Sequence, residues 1–240
     1  MSAVAIAIPA SAQFVVVPNA YANSAASTSG LNTMIRDANN PRTGQLLIAA
    51  SQLTGVNVGD TINGMSFRLW TGATAAFPAT TATWAQYDVE MGEALANPLS
   101  WSTTFASNYA SAPTMVRSGS LTVNAGSYGI TGSPRPWGTE ISFTTPYVYT
   151  GGNLAITVRH GGSNITNVAS DFLEVALTTD PLYIANEIRS YTATGNTATT
   201  GVQANFTVTR LSVTPVPEPM TMTVLGLGAL GLALKRRRAK

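Results

Sequence analysis

Apolar and polar positions alternate along most of this chain. In Thr61–Trp70, Ile62, Met65, Phe67 and Leu69 are apolar, with Ser66 and Arg68 between them. In Trp84–Met91, Tyr87, Val89 and Met91 share one face, and Asp88 and Glu90 lie on the other. Asn153–His160 repeats the pattern with Leu154, Ile156 and Val158. A period of two over four to eight residues marks strands with one buried face. Comparable segments at Gln45–Leu53, Ser118–Val123, Glu140–Phe143, Phe172–Leu177, Tyr183–Tyr191 and Gln203–Val213 bring the total to about nine. Gly126, Gly151-Gly152, Gly161-Gly162 and Gly195-Asn196 supply turns between them. The predicted fold is all-β, an antiparallel two-sheet sandwich of jelly-roll type. A parallel α/β sheet would need crossover helices, and no helical stripe longer than about ten residues precedes the C-terminal region. Ala94–Pro113, holding Pro98, Trp101, Phe105 and Tyr109, reads as a surface excursion packed by its own aromatics.

The alternation stops near the C-terminus. Pro217-Glu218-Pro219 is followed by the uncharged 15-residue run Met220–Leu234 and then by Lys235, Arg236, Arg237, Arg238, Ala239 and Lys240. As a helix the run would span roughly 22 Å, short against a hydrocarbon core of about 30 Å. The basic cluster should stop transfer and stay on the cytoplasmic side, leaving the body on the opposite face. Pro217 and Pro219 remove backbone donors and hold Val216 and Glu218 extended. An ordinary C-terminal membrane anchor would share the apolar run and basic end. Gly226-Leu227-Gly228-Ala229-Leu230-Gly231 fits a dinucleotide fingerprint letter for letter, but it neither follows a strand nor leads to a downstream acidic residue. Small residues in a membrane helix account for it.

Three features of this region together resemble the PEP-CTERM sorting signal: Val216, Pro217, Glu218 and Pro219, the hydrophobic run to Leu234, and the Arg-rich end. The resemblance implies export and recognition by an exosortase, a membrane transpeptidase-like cysteine enzyme that cuts near the motif. More weakly, Arg117–Val123 and Thr145–His160 are similar to consecutive strands of a jelly-roll module in exported PEP-CTERM proteins. That second resemblance carries no known active site.

At the other end, Met1–Ala12 reads as the latter part of a secretory signal. Val4–Ile8 is apolar, Pro9 breaks a helix, and Ala10-Ser11-Ala12 fits a small-x-small cleavage site before Gln13. A β-strand through Phe14–Val17 is the competing reading. The expected organisation is a truncated signal over 1–12, a leader over 13–30 and a β-sandwich domain over 31–214. The sorting signal follows over 215–240, with a hydrophobic helix over 220–234 and a basic end over 235–240.

Charge and cysteine content narrow the function. Five of the thirteen basic residues lie at 235–240, and residues 1–217 carry eight Arg against ten Asp and Glu, a net of −2. A nucleic-acid-binding body would instead cluster basic residues on one face. The absence of cysteine removes disulfides, thiol nucleophiles and thiolate metal sites.

Catalytic chemistry finds little foothold. His160 is the sole histidine and no G-x-S-x-G elbow surrounds a serine, so a strand-end histidine, at the surface or bonded to a loop carbonyl, is the expectation. Asp88 and Glu90 point to one face about 7 Å apart, a spacing compatible with glycoside hydrolysis, yet the alternation puts them on the solvent side. No cofactor is expected. Loop acids such as Asp37, Asp60, Asp171 and Asp180 offer hard oxygen ligands for calcium, without a D-x-D-x-D run. Trp101 and Trp137, flanked by Ser, Thr, Pro, Arg and Gly, are the tryptophans expected at the surface and the candidates for glycan contact. The expectation is a non-enzymatic exported surface or matrix protein. Its partners are an exosortase-like enzyme, the membrane during export, and exopolysaccharide, with no nucleic acid. A carbohydrate-binding module and a secreted hydrolase are the alternatives.

Overall fold

The computed structural model describes residues 11–27, 30–31, 33–35, 40–165 and 172–216. Among these the strands are, in chain order, β1 (Gln13–Val17), β2 (Gly30–Leu31), β3 (Arg42–Ile48), β4 (Thr61–Ser66) and β5 (Ala82–Trp84). There follow β6 (Tyr87–Glu93), β7 (Thr114–Arg117), β8 (Leu121–Val123), β9 (Ile141–Val148) and β10 (Leu154–His160). The last are β11 (Leu173–Ala176), β12 (Ile188–Thr194), β13 (Val202–Gln203), β14 (Phe206–Thr207) and β15 (Thr209–Thr214). The protein is mostly β, and its strand pairs are antiparallel.

Among the described residues four sheets form where two were expected. The larger two have the orders β1-β15-β4-β9 and β13-β12-β3-β10-β6-β7. Smaller sheets β14-β11-β2 and β5-β8 accompany them. One hydrophobic cluster takes Val15, Ile62, Met65, Leu211 and Val213 from the four-stranded sheet and Leu46, Ile48, Val89, Met91, Ile156 and Val158 from the six-stranded one. The alternation in β6 and β10 therefore reports a real inner face. At one edge β7 runs beside β9, where the Thr144 hydroxyl donates to Val116 O at 3.2 Å. The turn from β9 to β10 uses Gly151 and Gly152 at φ 88° and 79°, a backbone region that glycine enters without steric penalty.

The outer face of the six-stranded sheet departs from expectation. Leu47, Ala49, Ala155 and Tyr191 are covered by Ala94, Trp101 and Phe105 from the 94–113 segment. That segment is packed onto the sheet rather than onto itself. A buried polar network fixes it. Gln45 Nε2 donates to Phe105 O and Thr157 Oγ1, both at 3.0 Å, while Asn108 Nδ2 donates to Gln45 Oε1 at 2.6 Å. Satisfying Gln45 on both sides lets a polar side chain sit in a covered sheet face.

Two further expectations are revised. The stretch 13–30 is no separate leader, because Gln13–Val17 pairs residue for residue with Thr209–Val213 and Gly30–Leu31 pairs with β11. The expected strand Tyr183–Tyr191 opens instead inside one helical turn, Pro181–Ile184, and β12 begins only at Ile188. The Asp180 carboxylate accepts from Leu182 N at 2.9 Å and Pro181 opens the turn, which is N-cap chemistry.

Tyr87 and Tyr128 are fully buried, and burial pushes both phenols above their ordinary value. Unfolded tyrosine ionises near pH 10, so above that pH the unfolded chain binds fewer protons than the folded one. Stability should be insensitive to these groups below about pH 9 and fall above about pH 10, by up to roughly 1.4 kcal/mol per pH unit for each. Urea midpoints measured across this range, with tyrosinate absorbance followed in parallel, should show unfolding and ionisation occurring together. Ionisation of all tyrosines near pH 10 without loss of the fold would refute the assignment.

Candidate functional site

The body meets its C-terminal signal at the end of β15. This strand is central in its sheet, between β1 and β4, so its end is held on both sides. The last pairs are Val213 with Gln13 and Thr214 with Thr61. Pro215 and Pro217 have no amide hydrogen, which leaves Val216 N–H as the one backbone donor in 215–217. That donor is used: Val216 N donates to Asp60 Oδ1 at 2.9 Å.

Asp60 is 2% exposed. Its second oxygen accepts from Asn57 N at 2.8 Å, and its own N–H donates to Asn57 O at 3.0 Å. The carboxylate thus closes the 57–60 turn and grips the root of the signal at once. Two further bonds tie this turn to the chain beyond β9: Gly59 N to Tyr149 O at 2.8 Å and Tyr149 N to Asp60 O at 2.9 Å. Tyr149 OH donates to Gly152 O at 2.6 Å. The point at which the motif begins is therefore an ordered platform. By sequence Asp60 is one loop acid among several. The spacing Asn57-Val58-Gly59-Asp60 carried the signal, since Asp at the close of a turn bonds back to backbone amides.

Of the motif residues, Val216 lies on this platform. Pro217, Glu218, Pro219, the run 220–234 and the cluster Lys235, Arg236, Arg237, Arg238 and Lys240 lie outside the described residues, as does the 1–10 segment. No helix among the described residues is long and apolar enough to cross a membrane.

The glycan candidates are not a surface pair. Trp101 is 7% exposed, within the cluster that covers the six-stranded sheet, and its Nε1 donates to Leu95 O at 3.2 Å. Its polar flanks reflect the loop around it, not the ring's position. Trp137 is half-buried, with the Arg68 and Arg210 guanidinium carbons 4.8 and 5.2 Å from its ring centroid.

The candidates for catalysis are divided between two faces of the six-stranded sheet, His160 with Tyr87 on the inner face and Asp88 and Glu90 on the outer one. His160 is fully buried. Its Nε2 bonds to Thr33 O at 2.8 Å, its Nδ1 accepts from Gly162 N at 3.2 Å, and its ring stacks on Tyr87. The Gly162 bond requires Nε2 to carry the proton. For Asp88, burial raises the carboxyl, but bonds from Gln86, Ser118 and Gly119 N, with the Arg117 charge, hold it below its ordinary value. Glu90 instead lines a pocket of about 390 Å³ with Tyr109, Thr157 and Arg159, the last 3.8 Å away. Among the described residues no three His, Asp or Glu side chains gather as metal ligands. Asp37 and Asp171 lie outside them.

Buried charge that the sequence did not flag joins Arg68 to Glu174. Arg68 Nη2 also donates to Tyr21 O and Ser24 O, each at 2.8 Å.

No curated protein and no solved structure matches the chain. Residues 215–238, beginning on the Asp60 platform, match the PEP-CTERM protein-sorting motif, so the chain carries at its C-terminus the signal of a PEP-CTERM sorting-domain protein.

Proposed function

We propose that this chain is an exported, non-enzymatic surface or extracellular-matrix protein, inserted transiently in the membrane by its C-terminal run and then processed near Pro217–Pro219 by an exosortase-type enzyme. The motif is a substrate signal for such processing and implies export. The observation that carries the reading is the junction. β15 delivers the chain from the middle of a sheet to the motif, and Asp60 fixes Val216 at its start. Cleavage just beyond Val216 would leave every described strand intact. Removal of a segment ending at Ala12 would do the same, because β1 starts at Gln13.

A non-enzymatic body is favoured by the engagement of His160 and Asp88 in structural bonds. We read the two larger sheets and their shared core as a sandwich of jelly-roll type. Association with exopolysaccharide belongs to the same proposal. The carbohydrate-binding alternative now rests on the Glu90, Tyr109 and Arg159 pocket rather than on tryptophans.

Intact mass of the protein from native cell envelope and culture medium tests the reading. The expected species ends near Pro217–Pro219 and lacks the apolar and basic residues. A membrane-bound species still ending at Lys240 would replace it with a permanently anchored protein.

A further inference from the structure

We propose that the pole of the body formed by the 54–60 turn and the 148–152 turn lies against the lipid bilayer surface while the C-terminal run is inserted. The inference rests on the insertion of 220–234 proposed above, and it adds which face of the body the membrane meets.

Chain length makes the contact nearly unavoidable. Only Pro217, Glu218 and Pro219 separate Val216 from Met220. At 3.3–3.6 Å per residue, those four steps reach at most roughly 14 Å. The headgroup layer takes up about 5–7 Å of that on each side of the hydrocarbon core. Val216 cannot swing away from the body to gain distance, because Asp60 holds its amide.

The surface chemistry at this pole matches such a position. Val58 is 71% exposed, and Val148 and Val216 are each 53% exposed. They surround the exit: Val58 Cγ2 lies on the side of Gly151 where a Cβ would stand, Val216 Cγ2 lies likewise beside Gly59, and Val148 pairs with Thr61 next to Asp60. Residues 53–63 and 144–158 contain one charged side chain, Asp60, and its carboxylate is already buried and bonded. Bringing these turns to the headgroups therefore desolvates no free charge, a condition that exposed carboxylates would violate. Acidic groups begin at the flank, with Glu93, which accepts from Thr150 Oγ1 at 3.4 Å.

The N-terminal side of the body meets the same pole. Gln13 pairs with Val213, and its side-chain amide donates to Gly55 O at 2.5 Å. The first strand therefore begins at the pole from which β15 leaves.

The absence of cysteine allows unique labelling. Full-length variants V58C, V148C, T197C and L227C would each carry an environment-sensitive fluorophore and be reconstituted in phosphatidylcholine vesicles. Thr197 is exposed beyond the far end of β12 and serves as the opposite-pole reference. Nitroxide lipids then quench by depth. The expected result is quenching at 58 and 148 by headgroup nitroxides several-fold above that at 197, with 227 quenched by acyl-chain nitroxides. Quenching at 227 with 58 and 148 indistinguishable from 197 would overturn this proposal and leave insertion standing. No quenching at 227 would overturn both.

Discussion

Glu174→Ala should lower the stability of the body by about 3–5 kcal/mol, the cost of stranding one partner of a buried ion pair. A domain of this size has a total stability on the order of 5–15 kcal/mol, so a large part of its urea midpoint should be lost. Arg68 and Glu174 are almost wholly shielded from water. Their charges are matched through Arg68 Nε and a Glu174 oxygen, and the other Glu174 oxygen accepts from Ala26 N. With Arg68 bonded to Tyr21 O and Ser24 O, the pair pins the 21–26 segment over the junction of β11 with residues beyond β4. The paired replacement Arg68→Met with Glu174→Leu removes both charges. It should be less destabilising than Glu174→Ala alone, because apolar residues of similar volume substitute well for a buried pair. It should nonetheless expose 21–26 to limited proteolysis, since those backbone groups lose their anchors. If Glu174→Ala lowers the unfolding free energy by less than about 1 kcal/mol, the pair is not the clamp described.

The contrast between the two variants separates two jobs, charge balance and loop attachment, that a single substitution would merge.

Much of the fold was legible because burial leaves a period in the sequence. Tyr87, Val89 and Met91 were read as an inner face and lie in the core. Pairing was not legible, since one apolar stretch can serve several sheets. The segment read as a single strand over 203–213 supplies β13 to the six-stranded sheet, β14 to the three-stranded sheet and β15 to the four-stranded sheet. Nor did alternation reveal that the outer face was covered. Thr157 and Gln45 look solvent-facing by type, yet the 94–113 segment buries them in a polar network that local pattern does not encode.

At the site the balance reverses. The signal itself was legible at once, because its order of proline, apolar run and basic cluster is local. Its attachment was not. Asp60 and Val216 are 156 residues apart, and their contact exists only because β15 ends beside β4. Arg68 and Glu174, 106 residues apart, escaped notice for the same reason. Residues that act through long-range contacts leave no spacing to read.

Asp60→Ala should free the root of the signal without unfolding the body. Hydrogen bonds to a charged acceptor contribute about 1.5–3 kcal/mol, and Val216 N–H lies close enough to solvent to find water once released. The loss then appears as local opening: about 2 kcal/mol corresponds to roughly a thirtyfold rise in exchange of the Val216 amide. An endoprotease that cuts within 215–219 of the intact chain should gain by a similar factor. Asp60→Asn keeps an oxygen that can accept from either amide and should recover most of the protection. These readouts distinguish a grip on the signal from simple support of the 57–60 turn. Loss of the turn alone would lower the global urea midpoint in both variants while leaving Val216 exchange tied to global unfolding. In native cells a freed root should also change the fraction of processed protein, because the enzyme would meet a loose peptide in place of one held at a fixed point on the body. Unchanged Val216 exchange in Asp60→Ala would show that the chain leaves the sheet unrestrained, and the short-tether geometry at the membrane would lose its fixed end.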